Sequence, residues 1–399
     1  MHILKVTQAY VPFRERGGPV EMVRTLAWAL RRRGHRVTVL TAMLDRNRLA
    51  QLGQRTTLGW QSADGGIETL YLPTTGHVRS LTLNPAVLAF RQRLHDFDIV
   101  HVYGLYDLLG PPIAAACRRW GIPYVVEPMG MFRPMDRAVL LKRLWHSLWG
   151  GTLLAGAAGL VASSELERSE LRAGGLPENR IFLRPNPISP DELLPLPPRG
   201  SFRRQYGIAT DEPLILFLSR LIARKGADLL IEAFARALPD RGVLIIAGPE
   251  GEPGMLDRLR ELALRSGVQN RVRFTGPLYG EQRRQALADA DLFALPSRYE
   301  NFGNAAAEAL LAGVPALITE TCGVAELARG RGALVVRRQP AELAGALRRF
   351  FEHTALQQQL RAQCAEFRAV CDADRLAARQ EEIYRTALQT RSRQPRTHK

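Results

Sequence analysis

Short apolar runs alternate with amphipathic stretches along most of the chain. In the first half, the apolar runs predict strands over residues 2–7, 36–42, 99–102, 124–126 and 159–162. Amphipathic stretches lie between them, and the first of these predicts a helix over 20–33. Strands that alternate with helices are typical of a parallel, doubly wound sheet. Residues 46–94 depart from this alternation, and there we expect a hairpin around 64–66 and a helix over 85–94.

A second series of the same kind begins near residue 214. Strands are predicted over 214–218, 243–246, 272–274, 292–295 and 315–318, with helices between them and further helices from 340 onward. Residues 184–200 contain six prolines, which remove backbone donors and disfavour helix, so this segment predicts a linker. We therefore expect an α/β protein with two Rossmann-like domains, 1–190 and 191–371. A helix over about 372–390 is expected to pack back onto the first domain, and 387–399 to form a disordered basic tail.

Charge and length limit the classes of partner. The 399 residues include 55 Lys and Arg against 39 Asp and Glu, a net charge of +16. Nucleic acid, an acidic membrane surface and a phosphorylated small molecule all fit such a charge. The arginines are not interleaved with the aromatic residues that single-strand stacking requires, so no nucleic-acid partner is expected. With no signal peptide and no apolar run of membrane-spanning length, a cytoplasmic protein with four reduced cysteines is predicted.

The strongest chemical signal lies after the strand predicted over 292–295. Gly303 and Asn304 open a helix there, and the free N–H groups and dipole of such a helix start favour an anion. Glu308 lies inside the helix and is placed to accept hydrogen bonds from neutral hydroxyls, while Glu300 precedes it in the loop. A sugar nucleotide fits this arrangement, with its diphosphate at the helix start, its ribose at Glu308 and its sugar at Glu300. Taken singly, either glutamate is also explained as a solvated helix-cap acid.

A second signal lies after the strand over 214–218. Arg220, Arg224 and Lys225 fall in the strand-to-helix loop, at the carboxyl edge where open α/β sheets bind ligands. A guanidinium fork and a mobile ammonium there would stabilise a diphosphate as it leaves. In the first half, Gly17 and Gly18 would let the backbone approach a diphosphate closely. The simpler interpretation of residues 220–225 is a solvated basic loop, and that of Gly17 and Gly18 is an ordinary pair of loop glycines.

These segments resemble the retaining glycosyltransferases of family 4, which have the GT-B fold of two Rossmann-like domains facing a cleft. The resemblance covers nearly all of the second half and is looser in the first. It rests on the following residues: Arg220, Lys225 and Gly226; Gly276-Pro277-Leu278; Pro296-Ser297; Glu300 and Glu308 with Phe302-Gly303-Asn304 between them; Gly313-Val314-Pro315; and, in the first half, Gly17-Gly18, Asp98-Ile99-Val100-His101 and Glu127-Pro128-Met129-Gly130-Met131.

The resemblance implies a nucleoside-diphosphate sugar donor held by the second domain and an acceptor held by the first. It further implies that Arg220 and Lys225 bind the leaving diphosphate, that Leu278 and Phe302 belong to the donor site, and that retention proceeds with no metal and no cofactor. Members of the family often carry a histidine at the position of Tyr103. Here His101, Tyr103 or backbone carbonyls alone are the alternatives for contact with the sugar.

Residues 137–157 combine leucines and two tryptophans with Arg137, Lys142 and Arg143. This composition predicts either a helix at an anionic membrane surface or a core-facing helix. We expect transfer of a hexose-type sugar to a hydroxyl of a glycan, carried on a polyprenyl lipid at the inner face of the cell membrane. Bacterial exopolysaccharide, capsule or O-antigen synthesis is the expected setting. The alternatives are a sugar-nucleotide epimerase or hydrolase, and a non-catalytic basic protein that binds membrane or nucleic acid.

Overall fold

The computed structural model describes residues 1–14, 17–50, 53–78, 81–135 and 138–392. The chain divides into two compact units. Unit 1 contains Met1–Pro187 and the chain from Ala373 onward, and unit 2 contains Ile188–Asp372.

Unit 1 begins with a strand, a helix and a second strand, as its apolar pattern predicts. Its strands are β1 (His2–Val6), β2 (Arg36–Ala42), β3 (Gln54–Thr56), β4 (Gly59–Asp64), β5 (Ile67–Leu72), β6 (Gly76–Val78), β7 (Leu81–Leu83), β8 (Ile99–Tyr103), β9 (Tyr124–Glu127), β10 (Gly159–Ala162) and β11 (Ile181–Leu183). Its helices up to Pro187 are α1 (Gly18–Arg32), α2 (Arg46–Ala50), α3 (Val87–Phe90), α4 (Gly110–Trp120), α5 (Val139–Trp145), α6 (Gly151–Ala155) and α7 (Glu165–Ala173).

In the described part of unit 1, nine strands form one sheet in the order β11-β10-β9-β8-β1-β2-β5-β4-β3. The sheet is parallel from β11 to β5, and β4 and β3 add to it antiparallel. The hairpin predicted around 64–66 is confirmed, because β4 and β5 pair from Asp64 and Ile67 outward. The helix predicted over 85–94 is only partly present, since α3 ends at Phe90 and a 3₁₀ segment follows.

Unit 2 follows its predicted alternation closely. Its strands are β12 (Leu214–Leu218), β13 (Val243–Ala247), β14 (Val272–Gly276), β15 (Leu292–Leu295), β16 (Ala316–Thr319) and β17 (Ala333–Val336). Its helices are α8 (Ser201–Gln205), α9 (Ala227–Ala237), α10 (Met255–Arg265), α11 (Gly280–Asp289), α12 (Asn304–Leu311), α13 (Ala325–Ala328), α14 (Pro340–Glu352) and α15 (Thr354–Val370). The strands form a parallel sheet in the order β14-β13-β12-β15-β16-β17. The central strands are apolar and buried, as expected for a sheet covered by helices on both faces.

The last helix, α16 (Ala373–Ser392), belongs to unit 1. Its Asp374 accepts a hydrogen bond from Arg32 at 2.8 Å, and its Glu381 pairs with Arg33 at 2.9 Å. The predicted start of a disordered tail at 387 is wrong, because the helix continues to Ser392. Residues 393–399, the rest of that predicted tail, lie outside the described residues.

Candidate active site

The strand order of unit 2 places two loops side by side. β12 and β15 are neighbours in the sheet, but the chain continues outward from them in opposite directions, through β13 and β14 on one side and β16 and β17 on the other. At such a reversal a crevice forms outside the carboxyl ends of the two strands, and open α/β sheets bind ligands there. Residues 219–226 follow β12 and residues 296–303 follow β15. These are the two segments that the sequence analysis selected.

An ion pair joins the two loops. The Lys225 Nζ donates to both carboxylate oxygens of Glu300, at 2.6 Å for Oε2. The two side chains are only 10% and 14% exposed. A Cβ at Gly226 would overlap the carbonyl oxygen of Pro296, so a residue without one lets the loops approach this closely. The loops therefore meet at the switch point, with a cation and an anion at their junction.

The second loop leads directly into the start of α12. Gly303 occupies the N-cap position with φ +102°, and a Cβ there would lie 2.6 Å from the Cys322 Sγ. Both the backbone conformation and the space therefore require glycine. No side chain caps the helix, so its first N–H groups and its dipole remain suited to an anion. The loop itself is held by backbone hydrogen bonds from Glu300 to Thr321 and from Gly323 to Glu300.

Glu308 lies one turn inside α12, with its side chain 18% exposed. Its carboxylate pairs with the Arg283 guanidinium at 3.1 Å. Arg283 belongs to α11 and was not predicted, because no spacing in the sequence links that helix to α12. The guanidinium holds the carboxylate in place at the helix, and carboxylate oxygens accept hydrogen bonds from hydroxyls.

Two arginines follow β12. Arg220 is exposed, and within the described ranges no carboxylate pairs with it. The carbonyl of Arg224 accepts a hydrogen bond from the Arg298 N–H at 2.8 Å, so the Arg224 backbone helps to fix one loop on the other. The Arg220 guanidinium is thus available to an anion at the carboxyl edge of the sheet.

Two further residues of the predicted donor site are apolar and buried. Leu278, in the loop between β14 and α11, is 8% exposed, and Phe302 is 2% exposed. The Phe302 carbonyl accepts a hydrogen bond from Val324 at 2.7 Å. Any contribution of these two residues to ligand binding therefore comes from shape and backbone.

Unit 1 also has a reversal of strand order, between β1 and β8. A cavity of about 240 Å³ lies at the carboxyl ends of these strands, and we call it the sheet-edge cavity. Its lining residues are Thr7, Gln8, Ala9, Pro19, Val20, Leu44, His77, Thr82, Tyr103, Gly104, Tyr106, Asp107, Met129 and Met131. Gly17 and Gly18, predicted to approach a diphosphate, begin α1 just before Pro19 and Val20 of this lining. Hydroxyl, amide and imidazole groups together with apolar walls suit a polar, uncharged ligand such as a sugar.

Asp107 is the buried carboxylate of the sheet-edge cavity. Its Oδ1 accepts hydrogen bonds from the N–H groups of Leu109 at 2.8 Å and Gly110 at 2.6 Å, at the start of α4. Burial raises the pKa of Asp107 to about 6, against the lowering effect of these two donors.

Comparison with known proteins decides the family. A model described as glycosyl transferases group 1 matches residues 198–367, and one described as a glycosyl transferase 4-like domain matches 17–187. D-inositol 3-phosphate glycosyltransferase of Xylanimonas cellulosilytica is 30% identical over 362 residues, which cover 83% of each chain. The chain belongs to glycosyltransferase family 4. It is a glycosyltransferase that uses a nucleotide sugar, and the resemblance stated from its motifs is confirmed.

Solved structures establish the fold of this glycosyltransferase. HepE from Anabaena, in complex with UDP and glucose, superposes with a TM-score of 0.74 at 21% identity, over 97% of this chain and 100% of that one. Sucrose-phosphate synthase from Thermosynechococcus elongatus gives a TM-score of 0.72 at 18% identity, over 98% and 99% of the two chains. The predicted GT-B fold is therefore confirmed.

One predicted sugar contact of the glycosyltransferase is corrected by the structure. His101 lies within β8 and has no exposed surface. Its Nδ1 lies 2.8 Å from the Tyr384 hydroxyl of α16, and its Nε2 lies 3.5 Å from the Glu127 carboxylate. Burial lowers the pKa of His101 to about 4, so the ring is neutral near pH 7. Since no surface of His101 is open to a ligand, it supports the core and does not contact the sugar.

Tyr103, the alternative contact, does line the sheet-edge cavity but is only 2% exposed. Its ring stacks on His101 at 4.0 Å between centroids, and its hydroxyl accepts a hydrogen bond from the Lys5 Nζ at 2.5 Å. Lys5 is completely buried, and burial holds its pKa well below the usual range. Tyr103 therefore forms part of the cavity wall, while its hydroxyl is hydrogen-bonded to the buried Lys5.

The segment predicted over 137–157 is not one regular helix. Arg137 lies outside the described residues; α5 is followed by a π-helical turn at His146–Gly150 and then by α6. No residue of α5 is buried, so a core-facing role for this part is wrong, although Leu153 and Leu154 of α6 are buried. In the described part of the chain, no helix is both long and apolar enough to cross a membrane.

Proposed function

We propose that this glycosyltransferase moves a hexose-type sugar from a nucleoside diphosphate to a hydroxyl of a lipid-linked glycan, with retention of configuration and without a metal. The observation that carries the proposal is the Lys225–Glu300 junction at the switch point of unit 2, next to the uncapped start of α12. A cation, a carboxylate and the start of a helix that no side chain caps together suit a diphosphate joined to a polyhydroxyl sugar.

Each group at this edge takes a separate part of the donor. The Lys225 ammonium has three donor hydrogens, so it can hold Glu300 and a phosphate oxygen at the same time. Glu300 then accepts hydrogen bonds from the hydroxyls of the transferred sugar, and Glu308 from those of the ribose. Arg220, which has no carboxylate partner in the described ranges, binds the diphosphate as its charge grows.

The proposed chemical step takes place on one face of the sugar. The bond from the anomeric carbon to the phosphate oxygen breaks while the acceptor oxygen bonds to the same face of that carbon. The acceptor proton passes to the departing phosphate, so no separate base is needed. Arg220, Lys225 and the first N–H groups of α12 stabilise the charge that develops on the leaving group. Retention of configuration follows from attack on the face that the phosphate leaves.

The acceptor is proposed to reach the enzyme from a membrane surface. Leu140 is 78% exposed, and Leu141, Leu144 and Leu148 are each more than half exposed. Exposed apolar side chains interspersed with Lys142 and Arg143 are typical of segments that lie on anionic bilayers. A peripheral position on the inner face of the cell membrane, and a role in surface polysaccharide assembly, agree with this surface.

Nucleotide binding and product analysis test the proposal. We expect one nucleoside diphosphate to raise the melting temperature of the wild type, and E308Q to reduce that shift because the ribose loses a charged acceptor. With a matching donor, sugar should appear on an added glycan in the anomeric configuration of the donor, as read by NMR. An inverted product, or no shift with any nucleoside diphosphate, would refute the proposal. Consumption of the donor without acceptor would instead indicate a hydrolase.

A further inference from the structure

A second cavity lies beside the exposed leucines, and we call it the lateral cavity. Its volume is about 690 Å³, and its walls include Phe132, Arg133, Arg143, His146 and Glu170. Arg143 comes from α5 and His146 opens the π-helical turn, so one segment contributes both to the cavity wall and to the exposed apolar surface.

The arginines of the lateral cavity differ from two arginines close to them in unit 1. Arg133 and Arg143 are exposed, and neither has a carboxylate partner in the residues that the structure describes. Nearby, Arg168 and Arg172 both pair with Glu178, at 2.6 and 2.7 Å. Glu170, the carboxylate of the lining, already has a partner. Two guanidinium groups at one cavity, neither paired with a carboxylate in the described ranges, are suited to an anion, and their planar forks match phosphate oxygens.

The linings of the lateral cavity and the sheet-edge cavity are in contact. The His146 Nε2 lies 2.9 Å from the hydroxyl of Tyr106, which lines the sheet-edge cavity, and the two rings meet edge to face. The Trp145 indole N–H donates to the carbonyl of Leu105 at 2.7 Å. The exposed segment is thus held against the loop after β8, and the hydrogen-bonded pair Tyr106–His146 joins the linings of the two cavities.

We propose that the lateral cavity binds the phosphate of the lipid that carries the acceptor glycan, with Arg133 and Arg143 as its ligands. The inference rests on the lipid-linked acceptor of the proposed function and names the site where its lipid end is recognised. The exposed leucines enter the bilayer, the phosphate lies at the bilayer surface in the lateral cavity, and the first sugar reaches the sheet-edge cavity past Tyr106 and His146.

Vesicle binding by the full-length protein tests the site. Three kinds of phosphatidylcholine vesicle are compared: plain, with a long-chain polyprenyl diphosphate, and with phosphatidylglycerol at equal surface charge. We expect the wild type to bind the polyprenyl diphosphate vesicles most tightly. R133A/R143A should weaken that binding by about a hundredfold, from two charge-assisted contacts of roughly tenfold each. The double variant should affect binding to phosphatidylglycerol vesicles much less.

Two control variants separate the site from general effects. R91A/R93A removes the same charge from another surface of unit 1 and should leave binding near that of the wild type. L140E/L144E should abolish binding to all three kinds of vesicle, because it removes the apolar contact. If R133A/R143A binds polyprenyl diphosphate vesicles as the wild type does, or loses affinity for both anionic vesicles equally, the site is refuted.

Donor binding keeps this inference distinct from the proposed function. R133A/R143A should retain the full melting-temperature shift with a nucleoside diphosphate, since both arginines belong to unit 1. If vesicle binding depends on the two arginines but the protein transfers no sugar, the lipid site is upheld and the proposed function is refuted. If the protein transfers sugar to a glycan but its vesicle binding does not depend on the two arginines, the proposed function is upheld and the lipid site is refuted.

Discussion

The two units place the charged groups of their switch points differently. In unit 1, Lys5, His101 and Glu127 lie inside strands β1, β8 and β9 and have no exposed surface. In unit 2, β12 and β15 are entirely apolar, and the charged pair Lys225–Glu300 lies in the loops that follow them. At its switch point, the same parallel architecture therefore holds charges inside the strands in unit 1 and in the loops after the strands in unit 2.

We infer from this difference that the charges inside the strands are structural and that those in the loops are available to a ligand. A charge inside a strand is out of contact with water, and its partners must be fixed because an unpaired buried charge is strongly destabilising. A charge in a loop after a strand is partly hydrated and can exchange its partner for a ligand. We therefore expect substitutions in the first group to change stability, and substitutions in the second to change activity.

The largest effect is expected at Arg184, which is fully buried and forms an ion pair with Glu127. R184M leaves the Glu127 carboxylate buried without its cation, so the free energy of unfolding of unit 1 should fall by about 3–5 kcal/mol. All five tryptophans lie in unit 1, so urea unfolding followed by tryptophan fluorescence reports on this unit. R168M breaks a partly exposed ion pair with Glu178 in the same unit and should lower the free energy of unfolding by about 1 kcal/mol or less. Equal losses in the two variants would contradict a structural role for the buried pair.

The next effect is expected at Lys225. K225M should lower kcat by about 10²–10³-fold, because it removes a positive charge from the leaving diphosphate. The far-UV circular dichroism spectrum should stay that of the wild type, because unit 2 contains no tryptophan to report on it. R236M breaks an exposed pair with Glu232 on α9 and is the matched control, with unchanged kcat. Turnover of K225M near that of the wild type would remove Lys225 from the catalytic assignment.

The sequence predicted unit 2 better than unit 1, and burial explains why. The strands over 214–218 and 292–295 were predicted with their observed bounds, since parallel strands covered on both faces appear as continuous apolar runs. In unit 1, β3 and β4 are short antiparallel strands with mostly exposed or half-buried residues. Such strands leave no continuous apolar run, so the pattern over 46–94 could not define them.

The candidate site was predictable as far as it follows strand ends. Lys225 and Glu300 were found because loops after neighbouring parallel strands meet at one edge. Pairs that form between distant elements could not be found in this way. Arg283 reaches Glu308 from another helix, and the Tyr384 hydroxyl reaches His101 across 283 residues of sequence. The assignment of His101 as a sugar contact failed for the same reason, since its buried partners are not visible in the sequence.

The smallest effect concerns the response of unit 1 to pH. Burial lowers the pKa of His101 to about 4, from an ordinary value of 6.5; Lys5 and Arg184 lower it further, while Glu127 opposes the shift. Between pH 6.5 and 4, His101 therefore takes up a proton in the unfolded state but stays neutral in the folded state. The stability due to neutral His101 is present above pH 6.5 and is lost as the pH falls toward 4, by about 2 kcal/mol at pH 5.

H101N, which keeps a polar side chain but does not titrate, should flatten the loss of unit 1 stability between pH 6.5 and 4.5 in tryptophan-monitored unfolding. Three other buried groups titrate in or near this range. Against the raising effect of burial, Arg184 and His101 lower the pKa of Glu127, and this also favours stability at higher pH. Burial raises the pKa of Asp107 to about 6 and that of Glu167 to about 7, which favours stability at lower pH. Asp107 and Glu167 contribute alike to both proteins, so they cancel from the difference between the two slopes. Glu127 loses its histidine neighbour in H101N but keeps Arg184, so its own contribution should change less than that of His101. Equal slopes for H101N and the wild type would show that the buried histidine does not link unit 1 to pH.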